Sequence, residues 1–270
     1  MATASYTLDA LREALRAVDV VSGATVVVHS SLMHLGRLDD VPVDRDPALI
    51  VDVMLELLGP DGTLAVPASN WEYGRHDVPF DLQSTPSAKD LGVVPRYVLK
   101  RPDVVRSLNP TFNLAMVGAR AAWLSAGGNG HAFGFDSAWD RLYRVDATMV
   151  FLGCDLNAMS FSRYMEMRYG VPYLYNKLFA APVVDRGTPV DVPIVSLLRY
   201  ADVPVEHNLT RFEQTLRERG VLREVPLGGG YVRSVRAHAC FDVGMECLKQ
   251  DIHFFLSAPP CYPPDRPPRR

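Results

Sequence analysis

Residues 25–32 read Thr25-Val26-Val27-Val28-His29-Ser30-Ser31-Leu32, and this stretch decides the fold. Its β-branched half lies between Gly23 and Ser30, the pattern of a buried strand. The two serines then turn the chain toward a short helix. Backbone N–H groups exposed at such a helix start suit an anion or a thioester oxygen, and Ser30 acting only as a helix cap is the competing reading.

Upstream, Leu8, Leu11, Leu15 and Val18 recur at helical spacing behind Thr7, a suitable N-cap. Downstream, a helix is predicted from Pro47 to Leu58 and a second buried strand over Thr63–Pro67. Helix, strand, helix, strand is the cadence of an α/β fold. Residues 68–92 are polar, carry Trp71 and Tyr73, and read as a long functional loop. Further on the pattern predicts a helix near Asp90–Leu99, a strand near Phe112–Val117, a helix near Ala119–Leu124 and an apolar strand at Thr148–Gly153. A helix is predicted over 160–169, followed by short strand-like runs after Pro172. A helix at Leu209–Arg219, a strand at Tyr231–Val235 and a closing helix near Phe241–Leu248 complete one domain over residues 1–257. The proline-rich segment 258–270 is predicted to be disordered.

The 270 residues are 48% hydrophobic and 22% charged, ordinary for a globular protein that needs no disulfide or metal staple. A net charge of -3 gives no reason to expect nucleic acid, which demands concentrated Lys and Arg. No apolar run approaches the roughly 20 residues of a membrane span, and no signal peptide is read. The four cysteines fit a reduced, cytoplasmic chain better than a disulfide framework. His238-x-Cys240 with Cys247 matches no four-ligand metal spacing, so no metal is expected. Gly228-Gly229-Gly230 lacks the lysine of a phosphate loop and reads as a hairpin turn.

Six ordered segments resemble one family. They are Val28-His29-Ser30-Ser31-Leu32 with Gly36, and Gly62-Thr63-Leu64-Ala65-Val66-Pro67. Next come Phe80-Asp81 with Thr85-Pro86-Ser87 and Gly92, and Arg106-Ser107-Leu108-Asn109-Pro110-Thr111. Phe133-Gly134 with Asp136-Ser137 and Leu142, and Phe151-Leu152-Gly153 with Ser160 and Glu166, complete the set. Together they resemble the antibiotic (aminoglycoside 3-N) acetyltransferase family. The resemblance implies a single-domain α/β fold with a central mixed sheet flanked by helices. It also implies transfer of an acyl group, typically acetyl, from acyl-CoA to an amine of a small polar molecule such as an aminoglycoside or a natural-product intermediate. By the same resemblance, Ser30, Ser31, Leu32, Gly36, Arg106, Ser107 and Thr111 are expected at the CoA.

Two positions depart from the family pattern. Asn109 stands where the motif Arg-Ser-x-His-Pro-Thr has histidine, and Arg163 stands where Thr-x-x-His-x-x-Glu has it. The family uses that second histidine as general base and the carboxylate, here Glu166, to orient it. Arginine stays protonated and cannot take that part. Replacement bases are His131, His29, Asp155 or Glu166 itself, while Cys154 is weighed as a nucleophile and reads better as an inert small residue; Arg163, Asn109, His131 and Glu166 are taken as the reacting group of residues. The alternatives are that Arg163 binds an anionic group in different, secondary-metabolite chemistry, or that the chain binds without catalysing. The expected partners are CoA and a small amine, with a homodimer left open. The missing histidines point away from ordinary aminoglycoside resistance.

Overall fold

The structure is a computed structural model and describes residues 4–42, 45–200 and 203–262. Its centre is a seven-stranded mixed sheet. Thr25–Ser30 lies between Thr63–Pro67 and Thr148–Leu152, parallel to both. On one side Leu114–Gly118 and then Val105–Arg106 add antiparallel. On the other, Gly230–Arg236 and Arg223–Leu227 do the same.

The apolar runs of the middle strands are continuous because both faces are covered. Val27, Ala65, Met116, Met149 and Phe151 belong to one core. Val26, Val28, Leu64, Val66, Val150 and Leu152 belong to the other. This is the two-residue period of a strand divided between two helical layers. The helices Leu8–Ala17, Asp46–Leu58 and Val93–Val98 cover the second face. Ala138–Arg144, Phe161–Tyr169, Thr210–Glu218 and Ala237–Gln250 cover the first.

The segment 68–92 is more ordered than its composition suggests. Asn70 caps the helix Trp71–His76 by accepting from the Tyr73 N–H, and Phe80–Asp81 pairs with Val183–Asp185. Tyr73 and Phe80 anchor this arm in a third, smaller core with Phe179 and Ile194. The runs after Pro172 include the antiparallel pair Leu174–Phe179 and Ile194–Arg199. The closing helix begins at Ala237, four residues earlier than its apolar spacing predicts.

Residues 258–262 lack regular structure, yet Tyr262 packs against the first core. The predicted disorder of 263–270 lies outside the described residues. Among the described residues no helix is long and apolar enough to cross a membrane.

Candidate functional site

The parallel strands Thr25–Ser30, Thr63–Pro67 and Thr148–Leu152 all end on one edge, where open α/β sheets gather their ligands. From that edge the chain continues through Ser31 into the single-turn helix Leu32–Leu35. Backbone contacts fix this turn. The Ser31 N–H donates to the Leu152 carbonyl at 2.9 Å, and the Gly229 N–H to the Leu35 carbonyl at 2.8 Å. Gly153 has φ +70°, and a Cβ there would meet the Ser31 oxygen at 2.5 Å. Gly228 has φ +56°, and a Cβ there would collide with the Leu35 oxygen. The glycine run is therefore the expected hairpin turn and also a buttress behind the Ser31–Gly36 turn.

That turn forms one wall of a cleft of about 1070 Å³. Leu32, Met33 and Gly36 line it, and opposite them stand Gln83 to Ser87 and the helix carrying Arg96 and Tyr97. Its charged lining is Arg37, Arg96, Lys100 and Asp46, an excess of cations suited to phosphate groups. The sequence reading found Leu32 and Gly36 but missed the three cations. Their only signal was closeness in sequence, Arg96 and Lys100 on and just after one helix and Arg37 beside Gly36.

The Arg-Ser-x-Asn-Pro-Thr segment works inside the protein. Arg106 is buried, donates to Asn113 Oδ1 at 2.7 Å and to the carbonyls of Thr85 and Ala68, and lies over the Phe80 ring. Burial pushes its guanidinium down to about 10, against the pull of Asp81. It clamps the Thr85 loop onto the sheet and has no fork to offer a phosphate, which corrects the expected pairing. Ser107 Oγ accepts from the Leu114 N–H. The Asn109 amide donates to the Gly130 and Val195 carbonyls, while its oxygen accepts from Thr111 and Ser196. Asn109 is thus a hub joining three segments, and Thr111 is one of its buried spokes.

His131 is fully engaged as well. Its Nδ1 accepts from the Phe133 N–H, and its Nε2 meets Asn176 Oδ1 at 3.1 Å. Burial lowers its pKa, with Asn176 opposing. Ser107, Asn109 and His131 border a void of only about 10 Å³, too small for a substrate. The other replacement bases, and Cys154 as a nucleophile, are also occupied or disarmed. Asp155 caps the next turn by accepting from Asn157, and burial pushes the Cys154 thiol up to about 12. His29 stacks on Phe151, accepts from the Ser160 N–H at 3.3 Å, and is driven down to about 4 by burial.

Arg163 and Glu166 do come together, one turn apart on Phe161–Tyr169. Glu166 is completely buried. Its Oε2 accepts from Arg163 at 2.7 Å, and its Oε1 accepts from the Tyr173 hydroxyl at 2.9 Å and lies 2.8 Å from His207 Nε2. Burial raises the carboxyl's pKa, but Arg163 and His207 together outweigh it and hold the group below the usual carboxylate range. Arg163 and His207 keep side-chain exposures of 20% and 15%, so they form the outer side of a cluster whose carboxylate is fully buried. The sequence reading missed both Tyr173 and His207. Tyr173 follows the helix across Gly170, and His207 sits in a stretch without periodicity before Thr210–Glu218.

The cluster's helix and the cleft wall both follow strands that end on that edge. His29 binds Ser160 at the start of the cluster's helix, and Ser30-Ser31 leads from His29 into the cleft wall. Among the described residues no group of His, Cys, Asp and Glu is arranged to hold a metal.

Comparison with known proteins agrees with this architecture. The chain is 27% identical over 249 residues to aminoglycoside N(3)-acetyltransferase IV of Salmonella sp, covering 89% of this chain and 86% of the relative. It is 25% identical to the SPbeta prophage-derived aminoglycoside N(3')-acetyltransferase-like protein YokD of Bacillus subtilis (strain 168), covering 69% and 71%. The crystal structure of a histidine-to-alanine mutant of aminoglycoside acetyltransferase AAC(3)-IVa in complex with a gentamicin superposes with a TM-score of 0.75 at 25% identity, covering 96% and 94%. AAC-IIIb in binary complex with CoASH shares the fold, with a TM-score of 0.75 at 22% identity over 91% and 97% of the two chains. The profile described as aminoglycoside 3-N-acetyltransferase matches residues 27–249, and the chain belongs to that family.

Proposed function

We propose that this protein is an acetyl-CoA-dependent N-acetyltransferase acting on an amine of an aminoglycoside. The observation that carries the reading is the cleft beside the Ser31–Gly36 turn, whose charged lining is mostly cationic. CoA supplies an activated acyl group as a thioester. Arg37, Arg96 and Lys100 hold its phosphates, Leu32 and Met33 flank the pantetheine arm, and the Ser31–Gly36 backbone faces the thioester end. Ser30 and Ser31 lead into the cleft wall and are read as CoA contacts from the family resemblance.

The alternative in which Arg163 captures an anionic substrate is less well supported, because its guanidinium already binds Glu166. Relatives named as aminoglycoside acetyltransferases support the acceptor class despite the two missing histidines. Four free cysteines support a reducing, cytoplasmic setting. Sedimentation would decide between monomer and homodimer.

The test is acetyl-CoA binding by calorimetry, paired with turnover on an aminoglycoside panel read by free-thiol release. Wild-type protein should bind and turn over, and Arg96→Glu/Lys100→Glu should weaken binding at least about tenfold, roughly 1.4 kcal/mol. Unchanged binding in that variant would move the cofactor elsewhere, and wild-type protein without turnover would reject the activity.

A further inference from the structure

Arg37 lines the cleft from a strand with a single neighbour. Among the described residues Arg37–Leu38 pairs with Ser5–Tyr6 alone, in a two-stranded sheet separate from the central one. The Arg37 N–H donates to the Ala4 carbonyl at 3.0 Å, and the Asp39 N–H to the Tyr6 carbonyl at 3.0 Å. Two lone strands are marginal in water unless side chains pack beneath them. Here Tyr6 and Leu38 are both buried, in the core that covers the second face of the central sheet.

Residues 4–6 also touch the cleft wall elsewhere. Ala4 rests on Gly36, where a Cβ would collide with its carbonyl, and a Cβ on Gly229 would meet the Ala4 Cβ at 3.0 Å. A Cβ on Gly228 would meet Tyr6 Cδ1 at 3.0 Å. Burial, and then the charge of Asp46 in the cleft lining, push the Tyr6 hydroxyl up to about 12. The segment therefore joins the turn that carries Gly36, the hairpin behind it and the start of Asp46–Leu58. It lies upstream of residues 27–249, the stretch shared with the family.

We propose that the strand Ser5–Tyr6 is a positioning element for the cofactor, holding the backbone of Arg37 so that its guanidinium meets a phosphate of acetyl-CoA. The proposal rests on the reading of Arg37 as a phosphate ligand. An arginine on a loose loop loses backbone and side-chain freedom when it grips a phosphate, and that loss offsets the charge-assisted bond. For Arg37 the backbone part is met on folding, through Ala4 and Tyr6, so binding has less left to order. The Ser31–Gly36 turn has supports of its own in the Leu152 carbonyl and the Gly229 N–H. The strand thus bears on the phosphate end of the cofactor more than on its thioester end.

Hydrogen exchange in the unaltered protein is the first test. The amides of Arg37 and Asp39 should be protected before any cofactor is added; amides that exchange freely until acetyl-CoA binds overturn the proposal. The second test compares acetyl-CoA with acetyl-pantetheine, which carries no phosphate, as acyl donor. Tyr6→Ala should raise KM for acetyl-CoA about tenfold. It should leave kcat, and KM for acetyl-pantetheine, within about twofold of wild type. A merely structural fault would fall on both donors alike. Arg37→Gln should raise the acetyl-CoA KM in the wild-type background and add little in Tyr6→Ala, because the two act through one contact. Equal losses on the two donors, an unchanged KM in Tyr6→Ala, or additive effects overturn the proposal. Where Tyr6→Ala does not fold, the exchange measurement decides alone. A wild-type protein that binds acetyl-CoA but acetylates no amine overturns the proposed function instead, and the Tyr6 and Arg37 variants are then compared by their acetyl-CoA dissociation constants.

Discussion

Glu166→Ala probes the central claim of the site, that a fully buried carboxylate is held ionised by three partners. The substitution leaves the Tyr173 hydroxyl and the Arg163 guanidinium, 20% exposed, without their acceptor. Breaking a buried charge pair from one side costs about 3–5 kcal/mol. Unfolding entropy near ~2.1 cal/mol/K per residue makes each kcal/mol worth about 2 °C for a chain of 270 residues, so the melting temperature should fall by roughly 5–9 °C. Differential scanning calorimetry at pH 7 reads this directly.

The pH dependence supplies a second, independent arm. Because the folded carboxyl titrates below its unfolded value, its stabilisation is present above the ordinary carboxylate pKa and disappears as pH falls through the lower folded value. The deficit of Glu166→Ala should therefore shrink in acid. Adding Arg163→Met should recover part of the loss at pH 7, since the unpaired cation is then gone. A variant within 1–2 °C of wild type, or a deficit that does not shrink in acid, would refute an ionised, partnered Glu166; that threshold is about 1 kcal/mol.

Other outcomes follow from the same geometry. Asn109→His restores the family motif, but it cannot serve the two carbonyls and the Thr111 and Ser196 donors at once; it should cost at least about 2 kcal/mol in urea titration and create no new activity. Arg106→Lys keeps the charge but loses the fork that reaches Asn113, Thr85 and Ala68; it should destabilise by about 2 kcal/mol and weaken acetyl-CoA binding through the Thr85 loop. His29 titrates at about 4 when folded, so between pH 6.5 and about 4.5 the unfolded chain takes up a proton that the folded one refuses. Stability should fall by about 2 kcal/mol over that interval, and His29→Gln should remove this part of the loss in denaturant titrations.

Much of the fold can be read in the residues that alternate between the two cores, because runs such as Thr25–Val28 and Thr148–Leu152 admit little besides buried strands. The arm around Tyr73 and Phe80 was legible only as polar loop, since its order comes from a small core assembled with Phe179 and Ile194 a hundred residues later. The site divides in the same way. Leu32, Gly36, Arg163 and Glu166 were visible as local patterns. His207 was not, because its meaning arises only when a loop folds back onto the Glu166 helix. Arg106 and Asn109 were misread because a motif reports which residues recur at a place, not whether their polar atoms face a ligand or the fold.

The wall made by Ser31–Gly36 is backbone resting on backbone: Gly36 against Ala4, Gly153 against Ser31, Gly228 against Leu35. Its shape does not depend on the side chains that decorate it, and Met33 is 93% exposed at its rim. The cleft wall can therefore be re-faced at residues 32 and 33 while its frame stays intact. Substitutions at those two positions should change acetyl-CoA affinity with little loss of stability, whereas alanine at any of the three glycines should destabilise the fold.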